Sequence, residues 1–265
     1  MRLSQALGYI LSPKTLKKLL VTNDDGIEAE GLKVLVDSLS KVADVYVLAP
    51  DSNCSAVSSK ITMGKNLHFY KCGEKSYSCS GMPADCVISA VTSPLFPFKF
   101  DAVFSGINSG PNMGTDIIYS GTCAAARQAV IMGIPGISVS MESEFLDYAR
   151  TGFNYKPLAD FCARNLDKLI SLCDGDVFVS LNSTSADEYK EALFASACRR
   201  DYGDQVVFTE NDGKTMTGFC DSKGIRVSGN ADSDYNIARS GKIAVSLVYA
   251  EPVLKTISDK ADFLF

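Results

Sequence analysis

Tryptophan is absent from this 265-residue chain and histidine occurs once, at position 68. A Ser-His-Asp triad would therefore hang on His68 alone, and the histidine-rich sites of most zinc enzymes are excluded. His68 itself sits in a short strand-like stretch, LHFY, and reads as a structural or surface residue rather than a catalytic one. The nine cysteines include no C-x-x-C pair, which removes zinc knuckles and thioredoxin-like motifs. Cys86, Cys123 and Cys162 fall in apolar helical patterns, where a thiol behaves as a small buried hydrophobe, so a reduced, cytoplasmic protein is expected. Positive charge is short as well: 26 Lys and Arg against 31 Asp and Glu give a net charge of -5 with no basic patch. Binding to a nucleic-acid duplex or an anionic membrane, which draws its energy from clustered Lys and Arg, is not expected. No run approaches the ~18 apolar residues that span a bilayer. Residues 1–17 hold a brief apolar patch followed by Pro13 and lysines without a small-residue cleavage site, and read as an N-terminal extension rather than a signal peptide. Also missing are G-x-x-x-x-G-K-[ST], G-x-G-x-x-G and G-x-S-x-G, so P-loop NTPases, dinucleotide dehydrogenases and α/β-hydrolases lose support.

What is present is an ordinary globular composition, 46% hydrophobic and 22% charged, in an alternating pattern. Residues 19–22, 45–49, 102–105, 137–140 and 177–181 are continuous β-favouring runs bounded by Asp, Gly or Pro. Between them lie helical patterns. One carries Leu32, Leu35, Val36 and Leu39 on a single face, and others cover 83–93, 120–132 and 158–172. This βαβ succession predicts an α/β fold, a Rossmann-like and mostly parallel sheet with helices on both faces, over residues 18–182. Beyond about residue 183, strand-like runs at 192–197, 205–209, 224–228 and 243–248 predict a β-rich C-terminal subdomain, residues 183–265, packed on that core.

Three segments carry chemistry. In LLVTNDDGIEAEGL, residues 19–32, a buried strand delivers Asp24 and Asp25 to its carboxyl end, where open α/β sheets bind ligands. Gly26 frees the backbone to turn both carboxylates toward one point, where a hard divalent cation relieves their repulsion; a solvated turn or helix N-cap uses the same residues. APDSNCSAVSSKIT, residues 49–62, follows the second strand into the same crevice and offers Ser55 as a neutral oxygen ligand. The run from Ser105 to Thr122, SGINSGPNMGTDIIYSGT, interleaves glycines with Asn108 and Asn112 and ends on Ser120, Gly121 and Thr122 at the start of a helix. Backbone amides exposed from Asn108 to Gly114, with that helix N-terminus, form a phosphate cradle without lysine; an ordinary N-capped turn is the plainer alternative. The adjacent aspartates fail the D-x-D pattern of aspartyl-phosphate phosphatases.

Together these segments resemble the SurE family of metal-dependent nucleotidases. Thr22–Gly26 is similar to the family's TNDDG turn, Ala49–Ser55 to its AP-D-x-x-x-S loop, and Ser105–Thr122 to its SGxNxGxNxG...YSGT run. GMPADCV, residues 81–87, and SDYNIARSGKIAVS, residues 233–246, resemble two further family segments. The resemblance implies that Asp24, Asp25, Ser55 and Asn108 hold one magnesium or manganese ion per subunit, oxygen donors suiting these ions better than zinc. It implies hydrolysis of nucleoside 5'- and 3'-monophosphates, with Asp24 and Asp25 catalytic and Asn112, Gly114, Ser120, Gly121 and Thr122 at the phosphate, in a homodimer or homotetramer. A noncatalytic nucleotide-binding module is the alternative. Where many members carry Gly-His-Ser after the loop serine, this chain has Ser58, Ser59 and Lys60, and Gln128 stands where a Glu is usual.

Overall fold

A computed structural model describes residues 16–143, 152–211, 213–222 and 224–253. All but the last two residues of the expected N-terminal extension lie outside the described residues. Six parallel strands form the centre of the main sheet, in the spatial order β4 (Ser76–Cys79), β2 (Asp44–Pro50), β1 (Lys18–Thr22), β5 (Ala102–Ser109), β6 (Gly136–Glu142) and β7 (Val177–Thr184). Antiparallel β3 (Phe69–Lys71) closes one edge; on the other, β13 (Ile243–Tyr249) runs antiparallel to β7 and β8 (Ala192–Phe194) parallel to β13.

Because successive strand residues point to opposite faces, Leu19 and Val21 of β1 enter one core and Leu20 the other. The first core packs under α1 (Glu30–Leu39), α4 (Lys156–Arg164) and α5 (Leu166–Ser171) through Leu35, Leu158 and Leu169. The second packs under α2 (Pro83–Thr92) and α3 (Gly121–Ile131) through Val87 and Ala125. The α/β, doubly covered, mostly parallel sheet is thus as the sequence pattern predicts.

Two expectations need correction. The pattern over 158–172 is two helices, not one. Asn165 leaves the helical region at ψ 19°, and its side-chain amide donates at 2.9 Å to the Phe161 carbonyl, which also accepts the Asn165 N–H at 3.0 Å. The sheet also does not stop at residue 182, since β13 and β8 add to the same sheet. Ile243, Ala244 and Val245 are apolar enough to be buried beside β7. What stands apart is smaller: a β9 (Arg199–Asp201) and β12 (Arg226–Ser228) pair, a hairpin of β10 (Asp204–Asn211) and β11 (Met216–Ser222), and a short α6 (Asp234–Arg239) that the pattern did not show.

Candidate active site at the sheet switch point

Strand order reverses at β1, with β2 on one side and β5 on the other, so the carboxyl ends of these strands border the crevice where open α/β sheets bind ligands. Asn23, Asp24 and Asp25 leave β1 there. Asn23 is fully buried and staples the turn, accepting the Gly26 N–H at 3.1 Å and donating to the Gly26 carbonyl at 2.9 Å. Gly26 takes φ +104°, a region costly for any residue with a Cβ. The turn is seated from below by Gly31 of α1, where a Cβ would stand 2.1 Å from the Ile107 carbonyl oxygen of β5.

Asp24 is 4% exposed. Burial pushes its carboxyl up to about 6, opposed by the Thr122 hydroxyl that donates to Oδ1 and reinforced by the neighbouring Asp25 charge. No Lys or Arg pairs with it among the described residues. Asp25 takes a different set of partners: its Oδ2 accepts from the Ser109 N–H at 2.9 Å and hydroxyl at 3.0 Å, and Asn53 reaches Oδ1 at 3.4 Å. The two carboxylates are therefore fixed by opposite walls, Asp24 by α3 and Asp25 by the end of β5.

Helix α3 meets Asp24 with almost no clearance. A Cβ on Gly121 would lie 2.8 Å from Asp24 Cβ and 3.0 Å from Oδ2. Ser120 is the N-cap, its hydroxyl accepting the Cys123 N–H at 3.0 Å. The partial positive charge of the helix start thus falls on the carboxylate and on whatever that carboxylate holds. Among the predicted site residues the structure therefore brings together Asp24, Asp25, Ser120, Gly121 and Thr122.

Asn108 and Ser55 come to this group through the backbone. Asn108 precedes the Ser109 that binds Asp25; its amide donates to the Gly110 carbonyl at 2.8 Å, which leaves Oδ1 as the atom suited to a cation. Ser55 is exposed and follows Cys54, whose N–H donates to the Asp24 carbonyl at 2.7 Å, and its own N–H is held by Asn53 at 2.9 Å. Asn112 and Gly114 differ from the expectation of free phosphate donors. The Asn112 N–H goes to Asn182 and its side-chain amide to Ser140, both at 2.8 Å, and the Gly114 N–H goes to Asp234 at 2.7 Å. They brace the glycine loop against β6, β7 and α6, because a buried N–H left without an acceptor costs more than a satisfied one gains.

Where the SurE pattern has Gly-His-Ser, Ser58 donates its N–H to the Tyr119 carbonyl at 2.9 Å and its hydroxyl to the Ile118 carbonyl at 2.7 Å. Arg127 of α3 donates to the Ser59 hydroxyl at 3.2 Å. The loop is thereby latched over the α3 N-terminus without histidine, and His68 is exposed. At the loop's far end Asp85 of α2 accepts from the Thr62 N–H at 2.9 Å and hydroxyl at 2.7 Å, and from the Met82 N–H at 2.8 Å. Sequence reasoning missed Asn53, Ser109 and Asp85 as supports. Ser109 had a signal in its place beside Asn108, whereas the Asp85 contact joins positions too far apart in sequence to be read.

No three His, Cys, Asp or Glu side chains cluster as metal ligands among the described residues. A cation here must use the two carboxylates with hydroxyl and amide oxygens, a hard donor set that fits magnesium or manganese. The buried Asp24, unpaired with any base, is the observation that makes these residues fit a cation.

The family model described as survival protein SurE matches residues 19–204. The 5'-nucleotidase SurE of Treponema pallidum (strain Nichols) is 41% identical over 189 residues, 69% of this chain and 99% of that protein. That of Idiomarina loihiensis is 33% identical over 229 residues, 86% of this chain and 90% of the relative. The crystal structure of the SurE protein from Aquifex aeolicus superposes with a TM-score of 0.75 at 27% identity, covering 89% of this chain and 94% of that one. Fold and site thus define an open α/β protein with an oxygen-donor centre at its sheet switch point. Within that class, the chain belongs to the SurE family.

Proposed function

We propose that this chain is a 5'-nucleotidase, a phosphoric monoester hydrolase that converts nucleoside 5'-monophosphates, and 3'-monophosphates with them, to nucleoside and phosphate. The relatives' activity supports the reaction, and the pairing of buried Asp24 with Asp25 at an α3 N-terminus is the observation that carries it to this chain. Asp24, Asp25, Ser55 and Asn108 hold one divalent cation per subunit, magnesium or manganese. Such a cation supplies positive charge to the phosphoryl oxygens and lowers the pKa of bound water. The remaining steps belong to the chain. The N–H groups of Gly121 and Thr122 and the Ser120 hydroxyl orient the phosphoryl group and stabilise the charge gathered on it, while the Ser120 N–H and the Thr122 hydroxyl are spent on Asp116 and Asp24. Asp25, held at Oδ2 by Ser109, accepts the proton of the attacking water. Asn112 and Gly114 contribute by fixing the loop.

The exposed apolar residues Val206, Phe208 and Phe219 of the β10–β11 hairpin support a homodimer or homotetramer built through that arm. No helix among the described residues is long and apolar enough to cross a membrane. Eight described cysteines are free, which supports a reducing, cytoplasmic setting. A panel of nucleoside 5'- and 3'-monophosphates assayed for phosphate release, with and without manganese, tests the reading. Metal-dependent release from the 5'-nucleotides is expected; binding of those nucleotides with no release under any metal would instead favour a noncatalytic module.

A further inference from the structure

Residues 114–120, which deliver the start of α3, are held from outside the doubly wound core by buried Arg200 on β9 and half-buried Tyr202 just after it. The Arg200 side chain is 4% exposed, and its Nη1 lies 2.9 Å from Asp116 Oδ2. Tyr202 donates its hydroxyl to Asp116 Oδ1 at 2.6 Å, and the Arg200 N–H donates to the Thr115 hydroxyl at 3.0 Å. The guanidinium carbon lies 5.7 Å from the centre of the Tyr202 ring. Asp116 is the hub because its backbone acts in the other direction: its carbonyl accepts the N–H groups of Tyr119 and Ser120, both at 3.0 Å. Ser120 then caps α3, and Thr122 of that helix grips Asp24.

Stability alone is a poor account of this cluster. Arg200 Nε and Nη1 and Asp116 Oδ2 make no hydrogen bond among the described residues, so the 2.9 Å approach of Nη1 to Oδ2 is an ion pair without hydrogen-bond geometry. A buried ion pair with unspent donors and an unspent acceptor returns little net stability, since desolvation of two charges offsets their attraction. What such a pair fixes is geometry. We propose that Arg200 is a positioning residue for the nucleotidase reaction, acting through Asp116 to set where Ser120, Gly121 and Thr122 meet the phosphoryl group. The inference rests on the proposed function and assigns part of the C-terminal segment to the site itself. Neither Arg200 nor Asp116 touches Asp24 or Asp25, so cation binding and phosphoryl orientation separate on substitution.

The test compares wild type with Arg200→Met, Arg200→Lys, Tyr202→Phe and Ser120→Ala in the full chain. Arg200→Met is expected to keep manganese affinity by calorimetry within about twofold while kcat/KM falls about 10- to 100-fold, mainly in kcat, as misplaced catalytic groups do. Arg200→Lys, which restores the charge at a single contact, should recover part of that loss. Arg200→Met combined with Ser120→Ala should lose less than the product of the two single effects, because both act on one path. Tyr202→Phe removes one hydroxyl and provides the same readings if Arg200→Met does not fold. Hydrogen exchange at the Tyr119 and Ser120 amides, which needs no substrate, should quicken in each Arg200 and Tyr202 variant. Unchanged exchange with unchanged kcat, or loss of manganese binding in step with activity, overturns the positioning role. A wild type that releases no phosphate while exchange still responds would overturn the nucleotidase reading alone.

Discussion

At Asp24, desolvation outweighs the Thr122 hydroxyl bond and lifts the carboxyl from 3.8 to about 6. With the folded value above the unfolded one, the contribution of Asp24 to the stability of the metal-free protein is fully present below 3.8 and is lost as pH rises through about 6. The shift corresponds to about 3 kcal/mol at neutral pH. Chelator-stripped Asp24→Asn should therefore resist urea better than stripped wild type near pH 7.5, by up to that amount, and about equally at pH 4. Equal curves at both pH values would mean that the carboxylate is not held at a cost. Gly121→Ala places a Cβ 2.8 Å from Asp24 Cβ. It is expected to lower kcat/KM by about tenfold or more and to destabilise the fold by about 1–3 kcal/mol, since the added methyl meets the buried Asp24 and must push it or the helix start aside. The aspartate pair was legible in the sequence because adjacent carboxylates before a glycine have few uses at a strand end. Their partners were less so: Ser109 and Asn53 act through hydrogen bonds whose direction only the folded loops establish.

Among the elements, α3 concentrates the site: Ser120 caps it, Gly121 permits the approach to Asp24 and Thr122 makes the bond. Ser120→Ala removes the hydroxyl that accepts the Cys123 N–H and should destabilise the protein by about 1 kcal/mol in urea titrations. An unchanged midpoint would leave the cap without an energetic role. The cap was readable from Ser-Gly-Thr ahead of an apolar helix, and β1, β2, β5, β6 and β7 from their unbroken β-favouring runs, whereas the polar SYSC of β4 gave no such run. The break at Asn165 was not, because Leu158, Cys162, Leu166 and Leu169 keep a helical period across it while the backbone departs from helical dihedrals at that one residue. α6 was hidden for a different reason: six residues are too few to establish a period.

For the whole molecule, the chain's acidity is the constraint that organises the account. With a net charge of -5 and no basic patch in the sequence, the proposed reaction draws its positive potential from a cation on Asp24 and Asp25 and from the α3 start. The C-terminal segment divides between roles the sequence could not separate: β13 and β8 complete the sheet, β9 and α6 brace the glycine loop, and the hairpin projects with Phe208 58% and Phe219 67% exposed. Phe208→Ser with Phe219→Ser should lower the mass seen by light scattering to a smaller assembly; an unchanged mass would place the subunit contact elsewhere. The most direct test of the central claim is phosphate release from a nucleoside 5'-monophosphate by chelator-stripped protein titrated with manganese, for wild type and Asp24→Asn together. The account predicts no release before metal, release by wild type that saturates with metal, and at least about 100-fold less from Asp24→Asn at any metal concentration. Undiminished release under excess chelator, or by Asp24→Asn, would contradict it.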